Sequence, residues 1–151
     1  KRILAFFRHY AEQEHPLEVM VQIYWASFKK RFLVVVPYQH VSGVEIRVPE
    51  DQPGQLDDER FYYYADVHSH NIMPAFFSEQ DNRDELATRL YIVVGRLQRP
   101  SPETRARISN GGKFLEIPLE DVVEVSPAEF PGYWTASVAP SFTGNRKGNA
   151  L

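Results

Sequence analysis

Ile3, Phe6, Phe7 and Tyr10 recur at helical spacing, with Arg2, Arg8, Glu12 and Gln13 between them. This pattern predicts an amphipathic helix from the start of the chain to near Pro16. At Leu17 the period shortens to about two residues. Leu17, Val19, Val21, Ile23 and Trp25 alternate with Glu18, Met20, Gln22 and Tyr24, which predicts a strand. A short buried strand is expected over Phe32 to Val36, a weaker one over Val44 to Val48, and a polar loop over residues 49–59. The aromatic run Phe61 to His68 reads as another strand. Ser78-Glu79-Gln80-Asp81 has the form of a capping box opening a helix that would run to about Arg89. The unbroken apolar run Leu90 to Val94 is the best candidate for a central strand. Arg105 to Ile108 and Phe114 to Ile117 flank Asn110-Gly111-Gly112, which predicts a hairpin.

After about Val125 the periodicity fades, and proline, glycine and serine accumulate. The expected organisation is one domain over 1–125 and a loosely attached, disordered tail over 126–151. The order of elements suggests an α/β or α+β domain with a mixed, curved β-sheet packed between helices.

Composition narrows the chemistry. The chain has 151 residues, 43% hydrophobic and 25% charged, which is ordinary for a globular domain. It has no cysteine, so cysteine nucleophiles, Cys-ligated zinc fingers and iron–sulfur clusters are excluded. A net charge of -3 and a pI near 6.0 do not resemble a nucleic-acid footprint, and no nucleic-acid partner is expected. No apolar run approaches the ~18 residues of a membrane span, so no membrane partner is expected and the reading is of a cytoplasmic protein. Arg8, His9 and Glu12 end the first apolar stretch too early for a signal peptide. The chain begins at Lys1 rather than Met, which leaves open further residues upstream.

The informative stretch is Asp66-Val67-His68-Ser69-His70 followed by Ser78-Glu79-Gln80-Asp81. Strand side chains repeat every second residue, so His68 and His70 point to one face. Ten residues separate His70 from Asp81, enough to turn back and present a carboxylate. Two imidazoles and one carboxylate leave a fourth position for water, the pattern of a catalytic zinc site. Asp66 and Glu79 read as surface or supporting charges, and His9, His15 and His40 are not read as ligands. His-Glu-x-x-His, Gly-x-Ser-x-Gly and phosphate-loop motifs are absent.

His68, His70, Ser78 and Asp81, at this spacing, resemble the JAMM motif of MPN/JAB-domain zinc metalloproteases, specifically compact bacterial or phage-type members. The resemblance covers roughly residues 1–120 and implies a JAB/MPN-like, cytidine-deaminase-like fold. It implies one zinc per chain on His68, His70 and Asp81, Glu18 as general acid/base, and Ser78 as an oxyanion donor. It further implies cleavage of a peptide or isopeptide bond in a protein or peptide substrate, such as a ubiquitin-like or sulfur-carrier protein with an extended tail. A catalytically silent, protein-binding scaffold is the alternative. Two positions depart from the family pattern: Asn71 and Phe77 stand where many members have proline.

Overall fold

The apolar run after Arg89 is an inner strand of a mixed sheet, as expected of a segment buried on both faces. The computed structural model describes residues 1–51, 56, 58–124 and 130–141. In chain order the elements are α1 (Arg2–Ala11), β1 (Met20–Ala26), β2 (Arg31–Val35), β3 (Gln39–Val41), β4 (Ile46–Arg47), β5 (Phe61–Ser69), α2 (Glu79–Asp84), β6 (Arg89–Gly95), β7 (Glu103–Asn110), β8 (Lys113–Ile117) and β9 (Val138–Pro140). Six strands form one sheet in the order β2-β1-β5-β6-β7-β8, and three form another in the order β4-β3-β9. In the larger sheet β5 and β6 run parallel and the other neighbours antiparallel. The fold is therefore a mixed α+β one with a curved sheet.

Alternation along β1 sorts its side chains. Val19 and Val21 join Val67, Ile92 and Val94 under Phe6, Phe7 and Tyr10 of α1. Met20, Gln22 and Tyr24 fall on the opposite face, the one that carries the groove described below. A register shift between Ile23 and Tyr24 interrupts the pairing of β1 with β5 and adds local twist. The β7–β8 hairpin turns on Gly111 and Gly112, both with positive φ, as the Asn-Gly-Gly sequence requires.

Several boundaries differ from the sequence expectation, for physical reasons. Helix α1 ends at Ala11 rather than near Pro16: Glu12 caps it, and the Leu17 amide turns back to the Tyr10 carbonyl (3.1 Å). Helix α2 ends at Asp84 rather than near Arg89. Its C-cap residue, Glu85, leaves helical geometry with its carboxylate bound to Arg107, and Arg89 already pairs in β6. The short strand β3 went unpredicted because Pro37 and Tyr38 interrupt the apolar run before it.

The largest correction concerns the segment expected to be loosely attached from 126 onward. Over residues 130–141 it is docked. Trp134 is 3% exposed and meets Phe6 edge-on at 5.3 Å, and β9 pairs in parallel with β3. The signal was short-range periodicity, and one tryptophan with a three-residue strand supplies none. Residues 125–129 and the expected disordered stretch from 142 to 151 lie outside the described residues. Among the described residues, no helix is long and apolar enough to cross a membrane.

Removing the Trp134 ring leaves a cavity against Phe6. Trp134→Ala is expected to cost about 3–5 kcal/mol, the usual loss for a buried aromatic. Urea denaturation checks it, and an unchanged midpoint would mean that residues 130–141 do not contribute to the core.

Candidate metal centre

The unit β5–α2–β6 is a strand, a crossover and a parallel strand, and ligands in such units gather at the carboxyl ends of the strands. His68 and His70 stand there. The His68 position pairs with Met20 of β1 on one side and Val93 of β6 on the other. His70 lies one residue past the strand, its amide held by the Val94 carbonyl (2.8 Å). The two Nε2 atoms are 3.2 Å apart. Two nitrogens bound tetrahedrally at ~2.0 Å would stand roughly 3.3 Å apart, so the pair fits one zinc-sized ion. His70 Nδ1 faces the Pro74 carbonyl at 3.3 Å, which favours the tautomer with the proton on Nδ1 and the Nε2 lone pair free. Burial pushes both imidazoles below their ordinary pKa, against the opposing pull of Asp81, which favours the neutral form that ligation requires.

Asp81 completes the group. Its Oδ1 is 3.7 Å from His68 Nε2, and the ligand atoms of His68, His70 and Asp81 all lie within 4.8 Å of one another. The capping box read from the sequence is present and sets this aim. Asp81 Oδ2 accepts from the Ser78 amide (2.5 Å) and hydroxyl (2.6 Å), while the Asp81 amide donates to Ser78 Oγ (3.1 Å). One carboxylate oxygen is thus committed to the cap, and the other is left facing the histidines. The Ser78 hydroxyl proton is spent on Asp81 in this arrangement.

Glu18 lies two residues before β1 rather than opening it, and is buried at 5% exposure. It lines the same groove, of about 850 Å³, as His68, His70, Ser78 and Asp81. Burial, helped by the nearby Asp81 charge, pushes its carboxyl up to about 8. The structure therefore brings all five sequence candidates to one place. Glu45 reaches the groove too, but its carboxylate is exposed and paired with Arg47 (3.0 Å). Asp66, read as a surface or supporting charge, is largely buried, held by the Tyr63 hydroxyl and by Arg89 at 3.5 Å. Glu79 is exposed.

Sequence reasoning missed the residues that hold these groups in place. Ser69, between the two histidines, accepts from the Val19 amide through Oγ (2.9 Å). Gln39 stands in for a missing strand: its Oε1 accepts from the Met20 amide (2.9 Å) and its Nε2 donates to the Met20 carbonyl (3.0 Å). Gly95 ends β6 where the 73–75 backbone crosses it. A Cβ there would meet the Ala75 nitrogen and the Met73 carbonyl oxygen at 2.4 Å. Only Gly95 left a trace in the sequence, as a glycine closing an apolar run.

Both departures from the family pattern have local explanations. Asn71 adopts φ 38°, which proline cannot, and its side chain donates to the Gly43 carbonyl (2.8 Å). Phe77 stacks on Arg107 of β7 at 3.8 Å, and Phe114 covers Arg107 at 3.8 Å. Arg107 is itself buried and binds Glu85 through two nitrogens (2.8 and 2.6 Å) and Asn82 through a third (2.7 Å). Helix α2 buries none of its own residues, so Arg107 is what fastens it to the sheet. Arg107→Met leaves Glu85 buried and unpaired and is expected to cost about 3–5 kcal/mol. Arg107→Lys, which keeps the charge without the planar fork, should fall between. Denaturation of both variants checks this, and wild-type stability in Arg107→Met would contradict the assignment.

The family described as prokaryotic homologs of the JAB domain matches residues 1–109. No match is found among curated proteins. Among solved structures, the chain is similar to the solution structure of protein DSY2949 from Desulfitobacterium hafniense, a Northeast Structural Genomics Consortium target. That likeness has a TM-score of 0.47 and 18% identity, over 76% of this chain and 82% of that one. The chain belongs to the prokaryotic homologs of the JAB domain.

Proposed function

We propose that this chain is a zinc-dependent hydrolase that cleaves a peptide or isopeptide bond, with His68, His70 and Asp81 as the ligands of one zinc ion. The observation that carries this reading is the convergence of two imidazoles and one aimed carboxylate in a groove that the buried Glu18 also lines. Zinc held there would supply a Lewis acid that polarises a carbonyl and lowers the pKa of water.

The chain's own residues account for the rest. The positive charge of zinc in the site would oppose the burial that pushes the Glu18 carboxyl up, so that the ionised carboxylate could accept a proton from the attacking water and return it to the leaving amine, as in general acid–base catalysis. His70 keeps its Nε2 lone pair available because Pro74 holds the other ring nitrogen. Ser78 first aims Asp81; to donate to an oxyanion its hydroxyl must rotate away from Oδ2. The groove is within the ~300–1,000 Å³ range of ligand clefts. Its walls mix apolar Val44 and Phe76 with the polar groups above, which suits a protein or peptide chain more than a small charged metabolite. Ubiquitin-like and sulfur-carrier proteins, with their extended tails, are the substrates the family suggests.

Glu18→Gln keeps the size of the side chain and removes the proton acceptor. Zinc content should stay at the wild-type level while cleavage falls by about 10²–10⁴. Asp81→Asn should lose zinc and cleavage together, and Glu50→Gln should lose neither. Elemental analysis paired with cleavage of ubiquitin-like fusions and short peptides provides both readouts. Loss of zinc from Glu18→Gln would make Glu18 a ligand and overturn its assigned role. A wild-type chain that holds zinc and cleaves none of these substrates would favour the scaffold reading.

A further inference from the structure

The β2 end of the large sheet carries an apolar surface that no described residue covers. Trp25 of β1 lies in register with Phe32 of β2 on one side and Tyr62 of β5 on the other. Trp25 meets Phe32 at 4.9 Å and Phe32 meets Tyr64 at 5.0 Å, giving a ring strip across three strands. Phe32 is 52%, Tyr62 60% and Tyr64 41% exposed, and none belongs to the core beneath α1. Strand β2 is an edge, paired among the described residues with β1 alone, and Phe32 to Val36 is unbroken apolar sequence. A free edge of this kind is a template for another strand. Lys29, Lys30 and Arg31 lead into it, all exposed and without a carboxylate partner among the described residues, in a chain of net charge -3. Arg60 nearby is already bound to Asp58 (2.6 Å).

We propose that this surface docks an extended segment of another protein, in which acidic and apolar residues alternate, as a strand added to β2. Main-chain hydrogen bonds would satisfy the edge, apolar side chains would lie on the ring strip, and the carboxylates would meet Lys29, Lys30 and Arg31. The observations favour this occupant over others. A second copy pairing through its own β2 would offer Lys29, Lys30 and Arg31 no carboxylate, since residues 28–36 contain none. A bilayer would leave the edge amides of β2 without acceptors. The rings are tilted 57–62° to one another rather than offering parallel faces for stacked bases. Tyr62 and His68 stand towards opposite ends of β5, about 20 Å apart at ~3.3 Å per residue, so a docked strand leaves the metal-ligand groove open. The surface is thus a tethering site, and its test does not depend on the zinc reading.

The probe is a fluorescent peptide alternating Glu and Val, with a Lys–Val peptide as its opposite. The Glu–Val peptide should bind the full chain saturably, slow amide exchange in β2, and leave zinc content unchanged, while the Lys–Val peptide should not bind. Lys29→Glu, Lys30→Glu and Arg31→Glu combined should reverse that preference. Phe32→Ser should weaken binding at least about tenfold, as expected for loss of an aromatic anchor. Absence of saturable binding, equal binding of both peptides, or a charge-reversed chain that still prefers Glu–Val would overturn the proposal. So would capture by phosphatidylserine vesicles or oligo(dT) through these residues, or self-association lost in Phe32→Ser.

Discussion

Val19 and Ser69 exchange two hydrogen bonds: the Val19 amide donates to the Ser69 hydroxyl, and the Ser69 amide to the Val19 carbonyl, both at 2.9 Å. The site hangs on that junction. His68 and His70 flank Ser69, and Glu18 precedes Val19, so one fixed pairing settles which face and which height three of the site residues occupy. A slip of one residue between β1 and β5 would turn Glu18 into the core beneath α1 and bring Val19 to the histidines. The apolar alternation of β1 resists that slip, because Val19 and Val21 are fully buried on the α1 side. Gln39 guards the other edge of the same segment, where Pro37 and the departing chain leave no strand to pair with Met20.

The fourth residue is placed by different physics. Asp81 rides on a six-residue helix with no buried face, too short to be stable by itself. Its orientation comes from the reciprocal cap with Ser78, and its attachment from the buried fork of Arg107. The site therefore joins a rigid part, the strand-borne histidines and Glu18, to a part whose position rests on polar contacts. Polar contacts are directional, which suits the aim of a single carboxylate oxygen, and they are costly to break when buried.

What the sequence disclosed was local. The two-residue period of β1, the His-x-His pair at a strand end and the Ser78–Asp81 cap each occupy a few consecutive residues; the pair and the cap stand where they were expected, while β1 begins at Met20 rather than Leu17. The β7–β8 hairpin was legible for the same reason. What stayed hidden was long-range and often polar. Ser69 looks like a spacer until Val19 is beside it, and Arg107 looks like a solvated strand residue until Phe77, Phe114 and Glu85 surround it. Trp134 has no periodic neighbours to announce burial, so a docked segment read as a loose one. The over-long second helix has a related cause: Glu85 and Leu86 favour a helix by propensity, and tertiary contacts with Arg107 end it.

The central claim is that the ligands are assembled by the fold before any ion arrives. Calorimetric zinc titration of chelator-stripped protein, with circular dichroism followed alongside, tests it directly. The account predicts saturation at one zinc per chain with secondary structure essentially unchanged. No detectable zinc binding near neutral pH, or binding coupled to a large gain of structure, would contradict it.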